Sequence, residues 1–244
     1  MFDWQWYFVY YLIHLHIGAA AFSIYVHRTI GHGHFTILSK KLEYVLRFII
    51  WLPGELSYRW AETYACRHRI HHGASDTEKD PHSPYWKTFK QLCQPWIFDP
   101  EDAKKYCPEI KTPNDWMQRV MFEKYRHLGP WVRHLLAGIL FGPIGLVLSI
   151  LVRYATKQWL GVFIGNYMNH KIGFNYAGHR SPQDRSKNVF PLGILLAGEE
   201  LHNNHHNYPK SPKFSKYWFE IDIGYFYARI FEKLGWLKFN KEVI

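Results

Sequence analysis

The chain has 244 residues, the size of one domain, and combines 48% hydrophobic and 18% aromatic residues with a formal net charge of +10. The mean hydropathy of -0.29 looks ordinary only because it averages over sharply segregated segments. No recognised nucleic-acid motif accompanies the basic excess, which argues against nucleic acid and for anionic lipid headgroups; Cys66, Cys93 and Cys107 form no C-x-x-C pair, which excludes a rubredoxin-like or zinc-ribbon module and suits a reducing compartment.

In chain order, residues 7–26 run twenty positions without a formal charge, enough for a helix to cross a hydrocarbon core of ~30 Å. This run lacks a basic start and leads straight into His27, so it does not read as a cleavable signal peptide. Its own histidines, His14 and His16, lie two apart on different faces and read as neutral imidazoles hydrogen-bonded to neighbouring helices. Residues 39–72 are apolar but interrupted by Arg47, Glu55 and Arg59, the pattern of an amphipathic or re-entrant segment at a membrane interface. Residues 76–130 are polar and punctuated by Pro and Asp, as in a connection. A second charge-free run covers residues 135–152, and a weaker one, 158–169, reaches full length by continuing through His170 and Gly173. The expected spans are therefore 5–26, 133–152 and 155–174, the last two forming a hairpin that turns near Arg153 and Lys157. Residues 178–244 are soluble in character.

Charge placement orients these spans. Of the 30 Lys and Arg, 16 lie between residues 27 and 130, 11 lie from 171 onward, and the first 26 residues have none. The positive-inside tendency puts the N-terminus and the hairpin turn outside and both basic regions on the cytoplasmic side.

Both basic regions are rich in histidine. Residues 66–82, CRHRIHHGASDTEKDPH, hold His68, His71 and His72, and GEELHNNHHNYP (198–209) repeats the H-x-x-H-H spacing with His202, His205 and His206. On a helix, positions three and four ahead of the first histidine share its side. Two such triads facing each other bring six imidazoles into one volume. A third group, HRTIGHGH, supplies His27 and His32, whose separation of five is poor for one α-helical face; Gly31 and Gly33 could let the chain bend and bring His32 round, with His34 pointing elsewhere. His34, His127 and His134 read as ordinary hydrogen-bonded side chains. Asp76, Asp80, Glu199 and Glu200 are candidate supports for the imidazoles.

Neutral imidazole suits iron, copper, zinc and nickel, and eight histidines exceed one ion's capacity, so two ions are the natural count. No H-E-x-x-H is present, against a zinc protease, and the single E-x-x-H, Glu199 to His202, falls short of a carboxylate-bridged di-iron bundle. What remains is a histidine-rich two-metal centre beside apolar helices that can hold a greasy substrate. Two irons at such a place can activate dioxygen against an unactivated C–H bond, a step no side chain performs unaided.

The three boxes resemble those of the membrane-bound fatty acyl desaturases, of the stearoyl-CoA desaturase type and its bacterial relatives. HRTIGH matches the first, HRIHHGASDTEKDPH the second and GEELHNNHHNYP the third, and the likeness extends through residues 108–131 and 214–237. The resemblance implies a ninth histidine four residues after an asparagine; GNYMNHKIGF supplies Asn166 and His170, and Asn175 with His179 is a competing match at the same spacing. It implies two irons held by His27, His32, His68, His71, His72, His170, His202, His205 and His206, with Asn166 acting through a water and Asp80, His82 and Glu199 supporting them. Dioxygen would be the co-substrate.

By the same resemblance the chain is an all-α integral membrane protein, residues 1–244 forming one desaturase domain. About three transmembrane helices and interfacial helices would carry a cytoplasmic helical cap, in a bacterial inner membrane rather than the endoplasmic reticulum. The substrate would be an acyl-CoA or acyl-lipid, given a cis double bond in a delta-9-like position. Neither an H-P-G-G haem motif nor a cysteine cluster occurs, so a separate ferredoxin, rubredoxin or cytochrome-type donor is expected on the basic face. Family members usually have another span ahead of the first box; here 26 residues precede His27, which implies truncation or an outside N-terminus with apolar surface left for lipid or a partner subunit. A hydroxylase or ketolase could share the boxes, and a membrane protein that only binds or transports metal is the non-enzymatic alternative.

Overall fold

The computed structural model describes residues 2–52, 61–93, 107–159, 166–189 and 193–241, and most of what it describes is helical. After a single tight turn at Trp4–Trp6, helix α1 covers Tyr7–Ala21 and is apolar on every side, the pattern of a helix surrounded by hydrocarbon or core. Phe8, Ile13 and Ile17 point outward, while Ala19, Ala20 and Ala21 are buried and let neighbouring chain approach.

From Phe22 to Gly31 the same helix is wound as a π-helix. This corrects the bend expected at the glycines. Hydrogen bonds reaching five residues instead of four widen each turn, so residues five apart draw together. The backbone N–H of His32 accordingly donates to the carbonyl of His27 at 3.1 Å, and the two imidazole centroids lie 5.2 Å apart.

Strand β1 (Phe35–Ile37) follows and pairs antiparallel with β2 (Leu237–Phe239), Phe35 opposite Phe239, which ties the C-terminal segment to the end of the first box. Helix α2 (Lys40–Trp51) starts at Ser39, whose Oγ accepts from the Leu42 N–H at 3.3 Å. Leu42, Leu46 and Ile50 face the core with Ile24, Val26, Ile30, Phe122 and Ala228, while Tyr44, Val45 and Phe48 remain exposed. Helix α3 (Ala61–Gly73) carries the second box, α4 (Phe89–Cys93) is one turn, and residues 53–60 and 94–106 of the expected interfacial and connecting segments lie outside the described residues.

Helix α5 spans Leu128–Trp159 but is broken inside: Gly142 has φ +71° and ψ −166°, and Pro143 follows. Glycine supplies the left-handed backbone and proline cannot continue the hydrogen-bond ladder across it. The two arms then run back along each other. His134 Nδ1 lies 2.7 Å from Ser149 Oγ, a pair that a straight helix would hold about 22 Å apart. By length and composition Trp4–Gly31 and Leu128–Tyr154 are both apolar enough to cross a membrane, yet the second is a hairpin rather than a rod. The expected span 133–152 with its turn near Arg153 and Lys157 is thus corrected. The reversal is at Gly142–Pro143, and both charged residues lie within the second arm, because a charge does not end a helix whereas a left-handed glycine before proline does. Tyr7, Tyr10 and Phe141 pack the hairpin onto α1, with Tyr7 edge-on to Phe141 at 5.9 Å.

Of the expected third span, residues 160–165 lie outside the described residues, and helical turns over 166–171 include α6 (Asn169–Lys171). Beyond it come α7 (Gly193–Leu196), α8 (His202–Asn207) and α9 (Ile223–Lys233), the last begun by Asp222, which accepts from the Tyr225 N–H at 2.9 Å. Helix α9 closes on α1 through Tyr227, whose hydroxyl meets His16 Nε2 at 2.8 Å. That is the hydrogen bond to a neighbouring helix expected for His16; His14 instead stacks on Tyr10 at 5.8 Å.

Candidate metal centre

Nine histidines meet where the end of α1, helix α3, α6 and α8 converge, and they fall into two groups. His27, His32, His68, His72 and His205 form one; His71, His170, His202 and His206 form the other, with all ligand atoms inside each group within 4.8 Å of one another. All are buried except His72, which is half-buried. The expected nine are therefore brought together, and the competing His179 is not: it pairs with Asn175 at 2.8 Å on the exposed surface. Asn166 is half-buried on the helical turn before His170.

Each H-x-x-H-H box is dealt between the groups. His68 and His72 go to one and His71 to the other; His202 and His206 go to one and His205 to the other. Helical geometry explains the division. Residues four apart differ by about 40° around the axis, whereas adjacent residues differ by about 100°, so the adjacent pairs must diverge. The triads do not face one side as a unit, which refines the expectation from spacing alone.

Within the first group the Nε2 atoms converge: His32 to His68 at 2.7 Å, His68 to His72 at 3.1 Å, His72 to His205 at 3.0 Å and His205 to His27 at 3.0 Å. In the second, His170 Nε2 and His202 Nε2 are 3.0 Å apart, and His206 Nε2 is buried without a hydrogen-bond partner among the described residues. On the opposite ring nitrogens sit carboxylates. Nδ1 of His27 meets Glu199 at 2.6 Å, His71 meets Asp80 at 2.9 Å, His170 meets Asp76 at 2.8 Å and His206 meets Asp184 at 3.2 Å. Carboxylates accept, so these Nδ1 atoms carry the protons and their Nε2 lone pairs point inward. Lone pairs crowded at 3 Å repel unless a cation lies between them, so the donor set fits metal ions, and imidazole nitrogen suits iron among others.

Burial, reinforced by the neighbouring imidazoles, holds His32, His68, His72, His202, His205 and His206 well below the usual histidine value. Neutral imidazole is the ligating form. Burial pushes Glu199 and Asp76 upward, but the histidine each one binds, with further donors, outweighs it and keeps both below the usual carboxylate value. Aromatic rings wedge the imidazoles in place: Phe214 lies 4.2 Å from His205, and Tyr64 stacks on His68 at 5.4 Å.

Among the expected supports, Asp80 and Glu199 bind histidines directly. His82 gives its backbone N–H to Asp80 at 2.7 Å and sets its ring edge-on to His71. Asp76 takes His170, a partner remote in sequence. Glu200 forms no hydrogen bond or ion pair with a histidine among the described residues; it is buried near Asp222 and Glu199, and burial and those charges push it up to about 8. Sequence reasoning missed Asp184, in SPQDRS, which stands 22 residues before the histidine it holds. His34 is an ordinary hydrogen-bonded side chain, donating to the Pro209 carbonyl at 2.9 Å.

Known proteins resemble this chain along most of its length. The fatty acid desaturase family model matches residues 3–217. The chain is 30% identical over 246 residues to delta-9 acyl-lipid desaturase 2 of Arabidopsis thaliana, covering 96% of this chain and 74% of that protein. Delta-9 acyl-lipid desaturase 1 of the same plant is 28% identical, with 90% and 70% covered, and the acyl-CoA C20 delta5-desaturase of Anemone leveillei is 27% identical, with 96% and 73% covered. With its histidine boxes gathered into one buried centre, the chain belongs to the fatty acid desaturase family and is a fatty acyl desaturase.

Proposed function

We propose that the two histidine groups hold one iron each and that the chain, as a single domain over residues 1–244, inserts a cis double bond into an acyl chain carried on coenzyme A or a lipid. The observation that carries this reading is the sorting of nine buried imidazoles into groups of five and four, with Nδ1 of four of them fixed by carboxylates. Asn166 would contact one iron through a water, and Asp76, Asp80, Asp184 and Glu199 fix the tautomers. The relatives that bear delta-9 names support a delta-9-like position.

Two irons, when bound, supply the dioxygen chemistry that breaks unactivated C–H bonds. Overall, two vicinal hydrogens leave the chain, and dioxygen with two further electrons and two protons becomes two waters. The protein's share is to hold and to exclude. Its carboxylates keep each bound imidazole's lone pair aimed inward, and Phe214 and Tyr64 lock the rings and keep bulk water out. The electrons come from a separate ferredoxin, rubredoxin or cytochrome-type protein that docks on the basic face.

The site lies at one membrane face, carried by α1 with its π-helical end and by the hairpin of α5. The turn at Gly142–Pro143 carries no charge, and Phe2, Trp4 and Trp6 cluster beside it, Phe2 giving its N–H to the Leu140 carbonyl at 2.7 Å. Aromatic residues at a helix end are interface anchors. This end then faces out, and the histidines sit with the basic regions on the cytoplasmic side.

The test is lipid analysis of a host making the wild type or His205→Ala. New monounsaturated chains that vanish in the variant are expected, and their bond position gives the regiochemistry. Hydroxylated chains in place of alkenes, or an unchanged product in His205→Ala, would overturn the reading.

A further inference from the structure

Three of the four carboxylates that hold the histidines are braced by backbone. Asp80 accepts from the N–H groups of Asp76 at 2.8 Å and His82 at 2.7 Å; Asp76 accepts from the Arg185 N–H at 2.8 Å; Asp184 accepts from the Ser186 N–H at 2.9 Å. Glu199 is held differently. Among the described residues, its side-chain partners are His27 on Oε2 and the Ser23 hydroxyl on Oε1, the latter at 2.5 Å.

Ser23 is fully buried and precedes His27 by four residues in the π-helical stretch. Its oxygen also takes a hydrogen bond from Arg28 Nη1. Arg28 is buried completely and seated on all sides. It forms a bidentate pair with Asp222 at 2.8 and 3.0 Å, donates from Nε to the Pro212 carbonyl at 3.0 Å, and lies 3.8 Å over the Phe214 ring. Asp222 in turn accepts the N–H of Phe214 at 2.7 Å, so the segment after the third box, the start of α9 and the first box meet on one guanidinium. A side chain added at Gly224 would bring a carbon within 2.6 Å of Arg28 Nη1, so α9 closes directly against the guanidinium.

Donor chemistry gives this chain of contacts one direction. A guanidinium has five N–H donors and no acceptor. Ser23 must therefore accept from Arg28, and its own proton is left for Glu199 Oε1 or the Ala197 carbonyl at 3.3 Å. With Oε1 so occupied, the ionised Glu199 takes the Nδ1 proton of His27 on Oε2. His27 Nε2 is thereby left as a lone pair facing His205. We propose that Ser23 and Arg28 are positioning residues: they fix Glu199 and, through it, the tautomer of His27, and so set how firmly the five-histidine group holds its metal. The proposal rests on the two-iron reading.

Full-length protein in detergent is loaded with ferrous iron without oxygen, and release to a ferrous chelator is followed in time for wild type, Ser23→Ala, Ser23→Thr and Glu199→Gln. Losing an outer partner of a ligating histidine typically weakens metal binding by about 10–100-fold. We expect Ser23→Ala to release one iron roughly tenfold faster, at the low end of that range because Ser23 acts through Glu199, while the other leaves at the wild-type rate. Ser23→Thr, which keeps the hydroxyl, restores the slow release. Glu199→Gln, which can turn an N–H toward His27, loses that iron altogether. Wild-type release of both irons from Ser23→Ala, equal acceleration of both, or failure of the threonine variant at an unchanged melting temperature overturns the proposal alone. A wild type that binds no iron overturns the metal-centre reading and the proposal with it.

Discussion

If α5 reverses at Gly142–Pro143, cysteines placed at Gly138 and Leu146 will bridge its two arms. A Cβ on Gly138 lies 3.3 Å from Leu146 Cβ, close to the separation of about 3.5–4.5 Å that a disulfide needs, so a shift of a few tenths of an ångström suffices. In a continuous helix the same two residues, eight apart, would be separated by about 12 Å along the axis and could not join. Closing a loop of about nine residues should add roughly 2.6 kcal/mol in the chain-entropy account. The variant is made in a background with Cys66, Cys93 and Cys107 replaced by alanine, oxidised mildly in membranes, denatured and treated with a maleimide polymer that adds mass to each free thiol. No addition before reduction and two additions after it are expected, with a raised melting temperature in the oxidised form. Two reactive thiols throughout would refute the hairpin and restore a single rod. His134→Cys with Ser149→Cys, which replaces the 2.7 Å contact across the arms, should behave alike.

Other consequences follow from the site and its frame. His72→Ala and His206→Ala belong to different groups, so each should lower bound iron by one per chain, measured by metal analysis, and both should abolish the product. Chelating the iron should lower the melting temperature reversibly; a ligand held at a thousand times its dissociation constant contributes about 4 kcal/mol. Arg47, fully buried in α2, makes a two-point pair with Asp115, whose side chain is 28% exposed. Asp115→Asn keeps the acceptor for the Gln118 N–H at 2.8 Å but removes the nearer of two carboxylates from Arg47, Glu43 remaining at 3.7 Å, a loss of about 1 kcal/mol after allowance for that exposure, readable by thermal unfolding. Burial raises Asp115, but Arg47 and the Gln118 N–H outweigh it and hold the carboxyl below its ordinary value of 3.8. The stability from this pair is therefore present above that pH and disappears as the pH falls through the depressed value, so the gap between wild type and variant should close in acid.

Much of the site could be read from the order of residues. H-x-x-H-H written twice, with acids nearby, shows ligands because helical spacing is local and metal chemistry is selective. The first box was harder. Its H-x4-H spacing fits no α-helical face, and only π-helical winding makes it a pair, which residue type does not announce. Asp184 escaped because a carboxylate that orients a histidine needs to be near in space and not in sequence. The hairpin turn is marked by no charge: Arg153 and Lys157 sit within a helical arm, and the reversal rests on the backbone chemistry of Gly142–Pro143. Ser23 reads as a small residue in an apolar run until Arg28 and Glu199 close on it.

His71 and His72 are neighbours along α3, yet they serve different groups, and so do His205 and His206 on α8. Two peptide bonds, one on each side of the centre, therefore set the interval between the groups. Breathing of the helix bundle, or a change in lipid thickness, meets two covalent ties between the halves of the centre. The interval between the two imidazole groups is thus set first by covalent bonds and only then by packing.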